Sequence, residues 1–192
     1  MPAATPTSSL PAGPASPTPA PRMTAPRDAE VEVRAQRRVT AAVALLGSET
    51  EADRGLVARV LLAAGQEIHV DPAQPYAAAL HAHLLGEGAR VEPGEVRAGD
   101  LVFFRNTSDL NENRLPDDGI TMVGVVERRE GARVLFVAWR AGKVRRMALD
   151  ASQPKVVRDA RDQVTNTRLV RWPGAAAPLT TGQCLAGYAR PD

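Results

Sequence analysis

Cysteine and aromatic residues are scarce in this chain of 192 residues, and each shortage excludes something. Cys184 is the only cysteine, so the chain can form neither an intrachain disulfide nor a zinc site with several thiolates. Aromatic residues make up 4% of the chain and hydrophobic residues 44%. The sequence therefore predicts one domain, of the usual size of roughly 100 to 200 residues, with a mainly aliphatic core.

Long hydrophobic runs are also absent. No apolar run reaches the roughly 18 residues that a membrane-spanning helix needs. The N-terminus lacks the apolar centre of a signal peptide, and both Met1 and Met23 are possible starts. Two locations stay open: the cytoplasm, or the bacterial cell envelope (periplasmic or associated with the outer membrane) if a signal was removed. The proline-rich start, which is typical of envelope tethers, favours the envelope.

Acidic residues are missing from the start of the chain, since the first one is Asp28. Eight of the 16 prolines lie between Pro2 and Pro26, and the formal charge of +2 comes from Arg22 and Arg27. We therefore predict a disordered Pro/Ala/Thr-rich tail or tether over residues 1–27 and a domain over 28–192. A domain with balanced charge lacks the concentrated positive field that phosphates need, which disfavours a nucleic-acid partner.

Three helices are predicted before any strand. The first runs from Ala29 to Leu46, ends at Gly47 and carries an apolar stripe. The second ends at Gly65, has Ser48 or Thr50 as its cap and acidic residues in its first turn. The third follows Pro75 and reaches Gly86. The predicted stripe of the first helix consists of Val33, Val39, Val43 and Leu46.

Strand patterns take over after Pro93. A dense apolar run, Leu101 to Phe104, is followed by three further strand candidates whose short connections contain Gly131 and Gly142. These four segments predict an antiparallel meander. The last segment, LTTGQCLAGYAR, is predicted to form either a helical turn or a strand packed on the sheet.

Over roughly residues 36 to 189, the order of these segments resembles the NlpC-type papain-like cell-wall peptidases. The resemblance rests on the segments Gly55-Leu56-Val57 with Ala64-Gly65, Arg97-Ala98-Gly99-Asp100-Leu101-Val102-Phe103-Phe104, Val123-Gly124-Val125-Val126-Glu127, and Phe136-Val137 before Gly142-Lys143-Val144. It implies an α+β fold with a papain-like NlpC-type core, in which N-terminal helices pack on an antiparallel sheet of about four to six strands.

The same resemblance locates the catalytic positions of the family, and none holds the expected residue. The nucleophilic cysteine at the start of the central helix is replaced by Asp53, and the general-base histidine by Met122. The third polar residue, which orients the histidine, falls at Ala138 or its neighbour Val137. A carboxylate is a poor nucleophile towards an amide, and methionine cannot transfer a proton. The sequence therefore predicts a pseudoenzyme that needs no cofactor.

Three functions remain open at this point. The first is a non-catalytic binding or structural component of the cell envelope that holds peptidoglycan or a protein partner. The second is an active peptidoglycan peptidase or amidase with an unrecognised site. The third is a small nucleic-acid-binding protein, which would require arginines of the meander to form a continuous stripe. If the first is right, Asp53, Met122 and Ala138 should converge at one cleft, with Cys184 apart from them and no histidine beside it.

Other candidate ligands along the chain have a structural interpretation of equal standing. A weak calcium candidate consists of Asp109, Asn111, Asn113 and Asp117, at positions 1, 3, 5 and 9 of a loop like the start of an EF-hand, although Arg114 and Ile120 replace its glycine and bidentate glutamate. These residues also favour turns. We expect Cys184 to be a small buried group and His69, His81 and His83 to be exposed or partly buried polar groups, so no other metal site is predicted.

Overall fold

A computed structural model of the protein describes residues 26–50 and 52–191. The predicted N-terminal tail lies outside the described residues except for residues 26 and 27, which begin the first helix. Proline is favoured at the first helical position because its fixed backbone angle suits a helix and its missing N–H has no helical partner there.

Three helices come first, as the sequence predicted. They are α1 (Pro26–Ala44), α2 (Ala52–Ala63) and α3 (Tyr76–Gly86). Helix α1 ends before Gly47, whose φ of +81° reverses the chain and whose N–H donates to the carbonyl of Val144 at 2.9 Å. That bond ties the α1–α2 connection to the edge of the sheet.

The buried face of α1 differs from the predicted stripe. Val33 is 49% exposed, whereas Ala35, Arg38 and Ala42 are buried at 6%, 1% and 1%. Small residues are preferred here because the backbone of the sheet's connections approaches closely: a Cβ on Gly99 would lie 2.7 Å from the Cα of Ala35. Val43 and Leu46 of the predicted stripe do pack against the core, so apolar periodicity located this face in part.

The start of α2 is also formed differently from the prediction. The Ser48 hydroxyl donates to the carbonyl of Leu45 at 2.6 Å, and the Thr50 hydroxyl lies 3.5 Å from the carbonyl of Ala52, so neither acts as the predicted cap. The helix begins at Ala52, which has a φ of 62°, and Asp53 is the acidic residue of its first turn.

The strands of the described residues form one antiparallel sheet of six. Their bounds are β1 Arg90–Val91, β2 Leu101–Arg105, β3 Ile120–Glu130, β4 Arg133–Arg140, β5 Lys143–Asp150 and β6 Leu185–Ala189. A short 3₁₀ helix (Pro93–Glu95) follows β1, and a helical turn, α4 (Thr181–Cys184), precedes β6. The order across the sheet is β1-β6-β2-β3-β4-β5, so β2 to β5 make the predicted meander. The C-terminal segment is thus both a helical turn and a strand, and the strand lies beside β2.

Both faces of the sheet are buried, which explains why the strands contain consecutive apolar residues rather than alternating ones. Leu101 and Phe103 face the helices, together with Leu56, Val57 and Val60 of α2. Val102 and Phe104 face the opposite layer, which the C-terminal third of the chain covers. The architecture is α+β, with an open antiparallel sheet between two apolar layers.

Candidate functional site

Asp53 lies at the N-terminus of α2, where that helix meets the middle of the sheet. Its side chain is buried, with 8% exposed. Oδ2 accepts a hydrogen bond from the backbone N–H of Val123 in β3 at 3.2 Å. Oδ1 is also buried but has no hydrogen-bond partner among the described residues. A buried carboxyl oxygen without a partner is rare enough to require an explanation.

Burial is the main influence on the ionisation of Asp53. It raises the pKa of the carboxyl from 3.8 to about 7, and the Val123 hydrogen bond and the charge of Arg140 offset only part of that effect. Removal from water disfavours the charged form of any carboxyl group. Near neutral pH, Asp53 therefore exists as a mixture of acid and carboxylate, and it can donate or accept a proton.

A cleft opens over Asp53, and we call it the Asp53 cleft. Its inner part, of about 20 Å³, is bounded by Met122 and by the ends of β3 and β4. Its outer part, of about 210 Å³, reaches α3 and the loop after β2. The residues that line one or both parts are Ala52, Asp53, Arg54, Pro75, Tyr76, Ala77, Thr107, Ser108, Leu110, Thr121, Met122, Trp139 and Arg140.

Hydrogen bonds hold the walls of the cleft in place. The indole N–H of Trp139 donates to the carbonyl of Thr50 at 2.9 Å, which joins β4 to the segment before α2. The hydroxyl of Thr121 accepts the backbone N–H of Thr107 at 2.7 Å and joins β3 to the loop after β2. Because these walls are anchored to the sheet, the cleft is preformed.

The structure brings together two of the three positions that the resemblance singled out. Asp53 and Met122 both line the inner cleft. Ala138 does not: its side chain is fully buried in the layer opposite the helices, and Val137 is buried on the helix side. The residues of β4 that reach the cleft are Trp139 and Arg140, the last two of the strand.

Cys184 is a buried apolar group, as the sequence predicted, with 1% exposed. Burial raises the pKa of its thiol to about 11, so the reactive thiolate is disfavoured. Cys184 lines neither part of the Asp53 cleft, although it belongs to the same apolar layer as Met122 and Ala138. None of the three histidines is buried.

The three histidines lie elsewhere. The His81 ring packs edge-on against Phe103, with ring centres 4.9 Å apart. His69 and His83 are 3.6 Å and 3.5 Å from glutamates. Within the part of the chain that the structure describes, no group of three or more His, Cys, Asp or Glu side chains could hold a metal ion.

The four calcium candidates lie in the polar loop between β2 and β3, and their oxygens bond mainly to the loop itself. Asp117 accepts hydrogen bonds from the side-chain amides of Asn111 and Asn113, at 3.3 Å and 3.0 Å. Asp109 accepts the backbone N–H of Arg114 at 2.9 Å through one oxygen, and its other oxygen is buried without a partner. These bonds give the loop the turn-forming role that the sequence offered as the alternative.

The basic residues of the meander are engaged within the protein. Arg146 and Arg128 both contact Glu127, at 2.5 Å and 2.6 Å, and Arg128 also contacts Glu130 at 2.8 Å. Arg129 donates to the carbonyl of Gly131 at 2.7 Å. On strands β3 to β5, Arg128, Arg133 and Arg146 are therefore paired with glutamates, and the other arginines donate to carbonyl groups.

Arg54, Tyr76 and Trp139 are among the residues that line the Asp53 cleft but that the sequence patterns did not identify as site residues. Arg54 follows Asp53 directly, Tyr76 begins α3, and Trp139 is one of only two tryptophans. Burial raises the pKa of Tyr76 to about 12, so its hydroxyl stays protonated. The scarcity of tryptophan, and its position next to Ala138, was a signal that could have identified Trp139.

No protein-family model, curated protein or solved structure matches the chain. The resemblance to NlpC-type peptidases therefore rests only on the sequence segments named above. In the described residues, no helix is both long enough and apolar enough to cross a membrane.

Proposed function

We propose that this chain is a non-catalytic relative of NlpC-type cell-wall peptidases that binds a peptide in the Asp53 cleft. The ligand would be the stem peptide of peptidoglycan, or a segment of a protein partner in the bacterial cell envelope. The observation that carries the proposal is the pair of residues in the inner cleft, Asp53 and Met122, which stand where the family has its cysteine and histidine.

The chemistry of the cleft supports binding without hydrolysis. Attack on an amide needs a nucleophile and a base that activates it, and the cleft contains neither a thiol nor an imidazole among its described residues. Losing a complete triad reduces turnover by about a million-fold in serine proteases. Hydroxyl and carboxyl groups along the walls are suited to hydrogen bonding with a peptide backbone.

The inner cleft also supports recognition of a particular group. When Asp53 is ionised, Oδ1 can accept a hydrogen bond from a peptide N–H, and when it is protonated it can donate to a carbonyl. The exposed face of Leu110, which is 49% accessible, adds an apolar contact at the outer rim. A ligand of mixed polarity, such as a peptide, satisfies both.

The test is a comparison of binding with hydrolysis on the same material. Purified protein is incubated with peptidoglycan sacculi, and the pellet is assayed for protein while the supernatant is analysed for released muropeptides. We expect protein in the pellet and no released product. Asp53→Ala should reduce sedimentation, whereas Asp162→Ala, at a side chain that is 86% exposed, should not.

Release of muropeptides by the purified protein would overturn the proposal in favour of the second candidate, an active peptidase or amidase. One observation favours that candidate: a carboxyl group with a pKa of about 7 is suited to general acid–base catalysis. If Asp53 had that role, Asp53→Asn would abolish release. Failure of the protein to sediment at all would leave a protein segment as the remaining ligand of the cleft.

A further inference from the structure

A second pocket adjoins the Asp53 cleft and contains an unpaired buried donor. It has a volume of about 290 Å³ and lies between the last turns of α2, residues 66–70 and the start of α3. Arg54 and Tyr76 line both this pocket and the Asp53 cleft, so the two are adjacent. We call it the Gln66 pocket after the residue at its base.

Gln66 is 7% exposed, and its orientation is fixed by a buried arginine. Its Oε1 accepts a hydrogen bond from Nη1 of Arg38 at 2.6 Å. Since a guanidinium can only donate, the oxygen and nitrogen of the Gln66 amide cannot be exchanged. Nε2 must therefore point away from Arg38, and it is buried without a hydrogen-bond partner among the described residues.

The charges around the pocket favour an anion near Arg54. No ion pair of the described residues includes Arg54, whereas Glu67 lies 3.6 Å from His69. Arg54 therefore offers the pocket a guanidinium that no ion pair of the described residues uses, and Gln66 of the same pocket offers an amide N–H. A guanidinium and an amide N–H are both donors, and a carboxylate is the peptide group that accepts from both.

The rest of the pocket suits an aliphatic residue of a peptide. Leu62 is 67% exposed at the rim, and Leu61 and Ile68 also line the wall. Residues 67–70 belong to neither helix nor strand, and their backbone N–H and carbonyl groups make no hydrogen bond to described residues. These groups are free to pair with the backbone of a ligand.

We propose that the Gln66 pocket binds the C-terminal residue of a peptide. The aliphatic side chain packs on Leu61, Leu62 and Ile68, and the terminal carboxylate accepts from Nε2 of Gln66 and pairs with Arg54. The inference deepens the proposed function and rests on it, because the remainder of the same peptide would extend past Tyr76 into the Asp53 cleft.

The probe is N-acetyl-Ala-Ala-Leu with a free carboxylate, compared with the same peptide capped as an amide. Binding is followed by ¹H–¹⁵N NMR at the Gln66 side-chain amide, at the backbone of residues 67–70 and at the Trp139 indole. We expect the free acid, at millimolar concentration, to shift the signals of the Gln66 side-chain amide and of the backbone of residues 67–70. The capped peptide should bind about tenfold more weakly.

Three variants complete the test. Gln66→Glu keeps an oxygen for Arg38 but replaces the donor, and should weaken binding by roughly tenfold. Leu62→Ser, at an exposed position that the fold does not depend on, should also weaken it. Glu32→Gln, at an exposed position of α1 outside the pocket, is the control and should bind as tightly as the parent protein.

Several results would overturn this inference. One is equal binding of the acid and the amide; another is unchanged binding by both Gln66→Glu and Leu62→Ser. NMR shifts confined to the Trp139 indole would place the peptide in the Asp53 cleft alone. That result would overturn this inference and leave the proposed function standing. If the protein sedimented with sacculi but the peptide shifted none of its NMR signals, this inference would likewise be wrong and the proposed function would stand.

Discussion

Asp53 and Val123 are joined by one hydrogen bond that links the start of α2 to the middle of β3. Oδ2 of Asp53 accepts the Val123 N–H at 3.2 Å, and Oδ1 is left without a partner. One backbone donor does not compensate a carboxylate for its lost hydration, which is why the pKa of Asp53 rises to about 7. The same contact fixes the position of the cleft and the ionisation of its central group.

A dependence of stability on pH follows from this contact. The folded state keeps the proton of Asp53 up to about pH 7, whereas the unfolded chain releases it near 3.8. The folded state therefore binds more protons between these values, and the free energy of unfolding falls as the pH rises through them. We expect this group to contribute a loss on the order of a few kcal/mol, measurable by urea denaturation across that range.

Asp53→Asn tests the assignment, because asparagine is neutral at every pH and retains an acceptor for the Val123 N–H. Relative to the parent protein, the variant should gain stability as the pH rises towards 7 and show no further change above it. Asp162→Asn is the control: Asp162 is exposed, and asparagine tolerates its φ of 62°. A parallel pH profile for the parent protein and Asp53→Asn would contradict the assignment.

Arg38 is the second group whose loss should be costly. It is 1% exposed and donates to the carbonyl of Gly99 at 2.8 Å, to Gln66 at 2.6 Å and to the carbonyl of Pro191 at 2.9 Å. Arg38→Met fills a similar volume but leaves these buried acceptors without their donor. We expect destabilisation of about 3 to 5 kcal/mol, measured by chemical denaturation.

The neighbouring residue provides the control for that experiment. Arg37 lies on the exposed face of α1, so Arg37→Met should change stability by less than about 0.5 kcal/mol. Similar losses from the two substitutions would show that charge on α1, and not the buried hydrogen bonds of Arg38, governs stability.

The sequence predicted the order of elements well because local signals determine them. Apolar runs and turn glycines located β2 to β5, and Gly131 and Gly142 have the positive φ values that tight hairpins require. The buried face of α1 was predicted only in part, because a buried arginine and two alanines occupy its centre and Val33 is exposed, although Val43 and Leu46 pack against the core. That preference depends on contacts with residues far along the chain, such as Gly99 and Pro191.

The candidate site was predictable in part, and for the same reason. Asp53 and Met122 follow from segments whose order resembles a known family, so their meeting at the cleft was expected. Gln66 carries no local signal, because its role depends on Arg38, which fixes its amide. Trp139 is a rare residue, but only the pairing of β4 in the sheet places it at the cleft. Register and buried pairing are properties of the folded chain.

Gly99 is a position where a single methyl group should disrupt packing between α1 and the sheet. Its φ is +85°, and an added Cβ would lie 2.7 Å from both the Cα and the carbonyl oxygen of Ala35. Gly99→Ala should lower the free energy of unfolding by about 2 kcal/mol or more, because backbone strain and a backbone clash add, and the melting temperature should fall accordingly. Gly94→Ala, where nothing lies within 4 Å of the added Cβ, should leave melting nearly unchanged.

The arginines of the sheet predict weak binding to nucleic acid. Glu127, whose side chain is 10% exposed, contacts both Arg128 and Arg146, so neither cation is available to release counterions from phosphates. In fluorescence anisotropy with labelled double-stranded DNA, we expect no binding at physiological salt and only weak binding at low salt.

Glu127→Gln sharpens this test because it frees the two arginines by removing a single negative charge. The variant should bind DNA more tightly than the parent protein at low salt and lose that gain as salt is raised. The reason is that each additional phosphate contact makes the dependence of affinity on salt steeper. Glu112→Gln alters the net charge equally at an exposed position of the loop between β2 and β3 and serves as the control. Tight, steeply salt-dependent binding by the unmodified protein would instead favour the nucleic-acid function that its balanced charge argues against.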